Sequence, residues 1–161
     1  MYTVRELFID EISKFTPDNN SPYIIDCGAY IGTSILFFKD NYPDAKVLAF
    51  EPDNKNLNLL KRNISNWNLK DITIENAAIW ISNGHVTFSS DGNMASKITQ
   101  GENSESNENI KSIRLNNLLN KDVDFLKIDI EGAEYEVIKD CADNLSYVKN
   151  LFIEYHGNYD E

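Results

Sequence analysis

The sequence predicts an α/β fold: a doubly wound, mostly parallel sheet with helices on both faces. Three observations lead there. The main strand segments, YIIDC at 23–27, KVLAFEP at 46–52 and VDFLKIDIEG at 123–132, carry near-continuous apolar runs, as strands covered on both faces do. Segments of helical spacing separate them, in the order strand, helix, strand, helix, strand, extended insert, strand, helix, strand. Each strand delivers polar or tight-turn residues at its C-terminal end, the edge where ligands bind in such sheets.

The elements follow in order. Val4, Leu7, Phe8, Ile12 and Phe15 recur at helical spacing, which predicts an amphipathic helix over 3–15, with Thr3 and Glu6 as its capping box. TPDNNSP at 16–22 is a breaker-rich loop. The strand at 23–27 leads to a helix from Thr33 to Asn41, stopped before Pro43. After the strand at 46–52, Asp53 caps a helix over 53–67, whose stripe is Leu57, Leu60 and Ile64. ITIENAAI at 72–79 reads as a third strand, HVTFSS at 85–90 as a short strand after a Ser-Asn-Gly turn, and IKSIRL at 110–115 as one more. Between these two short strands, residues 91–109 are polar, and GENSESNEN at 101–109 reads as a solvated loop. A strand at 123–132, a helix at 133–145 and a strand at 148–156 complete the pattern. The 161 residues are expected to form one domain: an N-terminal helix and loop at 1–22, an α/β core at 23–157, and an irregular insert at 80–115.

Charge narrows the function classes. With 26 acidic against 15 basic residues the net charge is −11, so nucleic acid and anionic membrane surfaces are disfavoured partners. Cys27 and Cys141 show no metal-ligand spacing and read as reduced thiols. No segment has the length of a membrane span or the pattern of a secretory signal, and a cytoplasmic location is expected.

The chemistry is expected where the strands end. Gly28 and Gly32 in DCGAYIG let a ligand approach the backbone, beside the free N–H groups of a helix start. Asp26 at the strand end opposes a phosphate and suits a cationic or donor-bearing ligand. Glu51, 25 residues on, can accept two hydrogen bonds from ribose hydroxyls. A ligand with a ribose, an amino group and no phosphate satisfies both, and S-adenosylmethionine is one. The plainer alternative is that the glycines only permit a tight turn and Glu51 only caps a helix.

DCGAYIG at 26–32, FEPD at 50–53, NAA at 76–78, DFLKIDIEGAE at 124–134 and IEYH at 153–156 resemble the FkbM-type methyltransferases, from about Tyr23 to His156. The resemblance implies a class I methyltransferase-like Rossmann fold and S-adenosylmethionine-dependent O-methylation of a hydroxyl on a sugar, glycan or polyketide-like small molecule. It implies that Asp26, Gly28, Ala29, Tyr30 and Gly32 surround the methionine tail. Glu51 and Pro52 would hold the ribose, and Asn76, Ala77 and Ala78 would border the adenine. Asp129 would lie under the sulfonium and the transferring methyl. The chain departs from the family pattern at Tyr30, where Asn is usual, and at Arg114-Leu115-Asn116-Asn117-Leu118, where T-L-D-x-L is usual. Only five residues follow His156, so the last two strands of a full class I sheet are expected to be lacking.

Alternation places Lys127, Asp129 and Glu131 on one strand face, and Glu154 and His156 on the face of the next. Asp129, Glu131 and His156 are therefore the expected catalytic group, with His156 or Glu131 as base. No metal is assigned, although two or three carboxylates with a histidine could hold Mg²⁺ or Ca²⁺. His85 is expected at the surface. The competing readings are an NAD-type dinucleotide-binding oxidoreductase, which lacks its G-x-G-x-x-G fingerprint here, and a non-catalytic partner-binding domain with a degenerate cofactor site.

Overall fold

A computed structural model describes residues 4–89 and 107–156. The apolar run Tyr23–Cys27 forms β1, the centre of a five-stranded sheet. The chain continues through α2 (Thr33–Asn41), β2 (Lys46–Phe50), α3 (Asn54–Asn66) and β3 (Ile72–Glu75), after an opening helix α1 (Val4–Phe8). It then forms β4 (Ala78–Trp80), β5 (Gly84–Ser89) and β6 (Asn107–Arg114), and returns as β7 (Phe125–Ile128), α4 (Glu134–Cys141) and β8 (Leu151–Ile153). The large sheet is parallel throughout, in the order β3-β2-β1-β7-β8. The chain steps outward from β1 through β2 to β3 and then restarts on the other side of β1, so the order reverses between β1 and β7. This is the doubly wound fold expected, with its crevice at that reversal.

Successive residues of β1 point to opposite faces, and each face has its own core. Ile24 packs with Ile35, Phe37, Phe38, Val47, Leu57, Leu60 and Phe125 on the side of α2 and α3. Ile25 and Cys27 pack with Phe50, Ile79, Leu115, Leu126, Ile128, Val137 and Cys141 on the side of α4 and the second sheet. Both cysteines are free and buried. Asp53 caps α3 as expected, its carboxylate accepting from the N–H groups of Lys55 and Asn56. No helix among the described residues is long and apolar enough to cross a membrane.

Several boundaries differ from expectation, each for a physical reason. The N-terminal helix ends at Phe8 rather than running to residue 15. Phe15 is instead held by Tyr42, whose hydroxyl accepts from the Phe15 N–H at 2.8 Å and donates to the Phe15 carbonyl at 2.6 Å. That pairing, with Phe15 stacked on Tyr42 and Phe125, outweighs the helical periodicity and leaves Ile9 exposed. Thr3 of the expected capping box lies outside the described residues.

Segment 72–79 is two strands in two sheets, not one. Asn76 breaks it by donating from Nδ2 to the carbonyls of Glu51 and Pro52. The second sheet has the order β4-β6-β5, with β4 parallel and β5 antiparallel to β6. Residues 107–109, expected as loop, are strand because they pair with β5, Thr87 opposite Asn109 and Ser89 opposite Asn107; residues 90–106 lie outside the described set. The strand expected at 123–132 stops at Ile128, since Glu131 (φ 58°) and Gly132 (φ 102°) turn the chain. The expected helix at 133–145 gives way after Cys141 to a 3₁₀ turn, Ala142–Tyr147, and the strand expected at 148–156 is confined to Leu151–Ile153.

One contact sets the spacing of the reversal. Gly28 (φ 86°) lies against the loop after β7, and a Cβ there would sit 1.8 Å from the Asp129 carbonyl oxygen. Gly28→Ala is expected to lose more than about 2 kcal/mol of stability in urea unfolding, from overpacking and an unfavourable φ together. A wild-type midpoint in that variant would show that the two loops can separate.

Candidate functional site

The carboxyl edge is built by hydrogen bonds between the strand ends. The N–H groups of Gly28 and Ala29 donate to the Phe50 carbonyl at 3.1 and 2.9 Å, tying the first turn to β2. The Asp129 N–H donates to the Cys27 carbonyl at 3.0 Å, tying β7 to the same turn. Tyr30 takes a left-handed φ of 50°, a conformation in which Asn is several-fold enriched. Its N–H donates to Glu51 Oε2 at 2.8 Å, and the Asp53 N–H donates to Oε1 at 2.9 Å. Gly32 (φ 92°) precedes α2 and faces Leu60, to whose Cδ1 a Cβ would come within 2.7 Å.

Glu51 is thus held at the end of β2 by two backbone donors, with Asn76 bonded to its own carbonyl and to that of Pro52. The residue is only 5% exposed. Burial pushes its carboxyl up from 4.5 to about 7, against the opposing pull of the Asp53 and Tyr30 N–H groups. Ala77 is buried beneath this corner, and Ala78 opens β4. Of the residues expected around a cofactor, Gly28, Ala29, Tyr30, Gly32, Glu51, Pro52, Asn76, Ala77 and Ala78 all lie in the turns and strand starts beyond this edge.

Asp26 behaves differently from what its position in the sequence suggests. It is fully buried and faces inward: Ser34 Oγ donates to its Oδ2 at 2.5 Å, and Lys127 Nζ stands 3.2 Å from its Oδ1. Register explains the pairing, since Asp26 and Lys127 are opposite one another on β1 and β7. Lys127 is itself 1% exposed. Its ammonium also donates to the Gly28 carbonyl at 2.9 Å and lies 3.3 Å from Asp129 Oδ2. Burial would lower the lysine's pKa, but the charges of Asp26 and Asp129 outweigh it and the net direction is up. Asp26 is therefore neutralised inside the sheet rather than turned toward a ligand. The sequence held a signal for this, a lysine inside the apolar run LKI, because a buried ammonium requires a carboxylate on a neighbouring strand.

Asp129, Glu131 and His156 do converge, although not by strand alternation. Asp129, Glu131, Glu154 and His156 all lie past the ends of β7 and β8, on the turns that follow. His156 Nε2 stands 3.4 Å from Glu131 Oε2, 3.5 Å from Glu154 Oε1 and 4.0 Å from Asp129 Oδ1. Its Nδ1 is 3.0 Å from Glu134 Oε1. Glu134, which the sequence reading did not single out, is buried and also accepts from the Gly132 N–H. Burial would raise the Glu134 carboxyl, but the Gly132 N–H and His156 hold it below its usual range. An ionised carboxylate only accepts, so Nδ1 carries the proton and Nε2 faces the other three acids. Burial alone would lower the His156 pKa; the Glu134 bond and the charges of Glu131, Glu134 and Asp129 raise it overall. Burial is the main reason the Glu131 carboxyl is raised. His85 lies exposed on β5, away from this group.

The family described as Methyltransferase FkbM domain matches residues 26–161, from the Asp26 turn through the His156 corner. The chain belongs to this family. Among curated relatives it is 25% identical to Methyltransferase 1 of Beauveria bassiana (strain ARSEF 2860), over 93% of this chain and 71% of that protein. It is also 25% identical to Methyltransferase sdnD of Sordaria araneosa, over 95% and 73% respectively. The fold is similar to the crystal structure of Methyltransferase FkbM from Methylobacillus flagellatus KT, at TM-score 0.68 and 21% identity. That match covers 96% of this FkbM chain but spans only 38% of the other. A second similar fold, TrmK of M. capricolum in complex with S-adenosyl-homocysteine, has a TM-score of 0.53 at 14% identity, covering 98% of this chain and 54% of that one.

Two outcomes are expected from this geometry. Lys127→Met leaves two buried carboxylates without their cation and should cost about 3–5 kcal/mol in chemical unfolding; Asp26→Asn, which keeps the Lys127–Asp129 pair, should cost less. Glu51 has a folded pKa above its unfolded value, so its contribution is full below pH 4.5 and is lost as pH rises through about 7. Wild-type stability should therefore fall by about 2 kcal/mol relative to Glu51→Gln between about pH 5.5 and about pH 7.5. Parallel pH profiles would refute the raised carboxyl.

Proposed function

We propose that this FkbM domain binds S-adenosylmethionine and methylates a hydroxyl oxygen of a sugar, glycan or polyketide-like small molecule. The observation that carries the reading is Glu51: a buried carboxylate at the end of β2, fixed by two backbone N–H groups with the Asn56 side chain beside it, and still able to accept from a ribose hydroxyl. The family and the likeness to a fold bound to S-adenosyl-homocysteine support the same cofactor.

The residues fit such a ligand. Glu51 would take the ribose hydroxyls, with Pro52, Asn76, Ala77 and Ala78 along the adenine side. The Gly28–Gly32 turn would receive the amino-acid tail, with Asp26 acting through Lys127 to keep that turn in place. Asp129 has one oxygen, Oδ1, that is buried and without a hydrogen-bond partner among the described residues. A buried acceptor of that kind calls for a donor or a positive charge, and a sulfonium beside it supplies one. When bound, the cofactor contributes an electrophilic methyl group.

The chain's own part is to hold the acceptor hydroxyl in line and take its proton. Glu131 and His156 stand together at the mouth of the site, each partly exposed, where an acceptor can reach them. The carboxylates of Asp129, Glu131 and Glu154 favour a neutral or cationic acceptor over an anionic one.

Calorimetric titration with S-adenosylmethionine, S-adenosylhomocysteine and NAD tests the cofactor. Binding of the first two at about micromolar Kd, weakened at least about tenfold in Glu51→Ala, is the expected result. Binding of NAD alone would overturn the methyltransferase reading in favour of an oxidoreductase.

A further inference from the structure

We propose that Asp129, Glu154 and His156 form a binding site for a divalent cation of the Mn²⁺ type, held through Asp129 Oδ1, Glu154 Oε1 and His156 Nε2. One ligand atom from each of the three residues lies within 4.8 Å of the others. A six-coordinate ion with ligands at about 2.1–2.2 Å sets neighbouring donors about 3 Å apart and opposed donors about 4.3 Å apart. The separations from Nε2, 3.5 Å to Glu154 Oε1 and 4.0 Å to Asp129 Oδ1, lie between those two distances, so small side-chain rotations bring the donors onto one ion.

An acidic cluster alone would carry nothing, since carboxylates gather on many surfaces. Two features distinguish this one. Asp129 is 8% exposed, and its Oδ1 points toward His156 with no hydrogen-bond partner among the described residues, while Lys127 takes the other oxygen. Glu134 holds His156 from behind through Nδ1, which turns Nε2 toward Asp129, Glu131 and Glu154. A carboxylate behind the far ring nitrogen is the arrangement that orients metal-binding histidines and raises their basicity.

Charge points the same way. Among the described residues, Asp26, Asp129, Glu131, Glu134 and Glu154 gather around Lys127 and His156, and the lysine is already shared by Asp26 and Asp129. The donor set selects the ion. Imidazole with carboxylate oxygens suits a first-row transition cation better than Mg²⁺ or Ca²⁺, which prefer all-oxygen sites. Glu154 and His156 remain about a quarter to a third exposed, 30% and 25% at the side chain, so the outer coordination positions open to water or to an oxygen ligand. The ion's place beside an acceptor hydroxyl rests on the methyl-transfer reading above; its binding does not. With the cation on Nε2, proton transfer falls to Glu131.

The test is titration of Mn²⁺ into the whole chain without any nucleotide, followed by pulsed electron paramagnetic resonance. One ion should bind per chain with a Kd below about 1 mM, and its spectrum should carry nitrogen modulation from one imidazole. Mg²⁺ should compete at least about tenfold more weakly. His156→Gln should remove the nitrogen modulation, and Glu154→Gln should weaken binding about tenfold or more. Absence of saturable binding, or a wild-type spectrum with no nitrogen modulation, would overturn the proposal whether or not the variants fold. Failure of the cofactor reading would appear separately, in the metal-free calorimetric titration.

Discussion

Lys127 is the group on which the rest of the site depends. Its ammonium is buried where the strand order reverses, between Asp26 of β1 and Asp129 after β7, and it holds the Gly28 carbonyl as well. A lysine taken out of water is costly, and these oxygens offset the cost. The bonds run in both directions across the crevice. The same lysine that neutralises the sheet interior also fixes the turn after β1 and the carboxylate after β7, the two loops that form the walls of the proposed cofactor site.

Backbone conformation then narrows those walls. Gly28, Tyr30 and Gly32 all have positive φ in the first turn, as do Glu131 and Gly132 in the turn after β7. Non-glycine residues in that region carry strain, which persists only where the surroundings over-determine it. For Tyr30 the surroundings are visible: its N–H is bonded to Glu51, and the turn is tied to Phe50 on one side and pressed on Asp129 on the other. Tyr takes that φ less readily than Asn does, yet the hydrogen bonds around the position keep the turn in place.

Electrostatics divide the edge into two halves. On the β2 side, burial raises the Glu51 carboxyl to about 7 against the hydrogen bonds of the Asp53 and Tyr30 N–H groups and of the Asn56 side chain. On the β7–β8 side, Glu131, Glu134, Glu154 and Asp129 surround His156, whose pKa is raised by Glu134, Glu131 and Asp129 against the effect of burial. A neutral, hydroxyl-bearing portion of a ligand suits the first half. A positive charge suits the second, whether it is carried by a sulfonium, a metal ion or the imidazole itself.

The sequence by itself determined the order of elements, the parallel sheet and the edge at which its polar residues gather. Apolar runs covered on both faces and helical stripes such as Leu57, Leu60 and Ile64 are local patterns, and local patterns survive in one dimension. The turns at Gly28 and Gly32 and the Asp53 cap were legible for the same reason; Asp129, Glu131 and His156 meet as expected, but on the turns past the strand ends rather than by strand alternation. Tertiary structure alone decided what depends on partners far along the chain. Tyr42 shortened the first helix by capturing Phe15. Asn76 split one expected strand between two sheets by bonding to Glu51 and Pro52. Lys127 turned Asp26 inward, and Glu134 oriented His156. Each of these is one or two hydrogen bonds or an ion pair across 22 to 101 residues, formed because a buried polar group must find its partner wherever packing has put it.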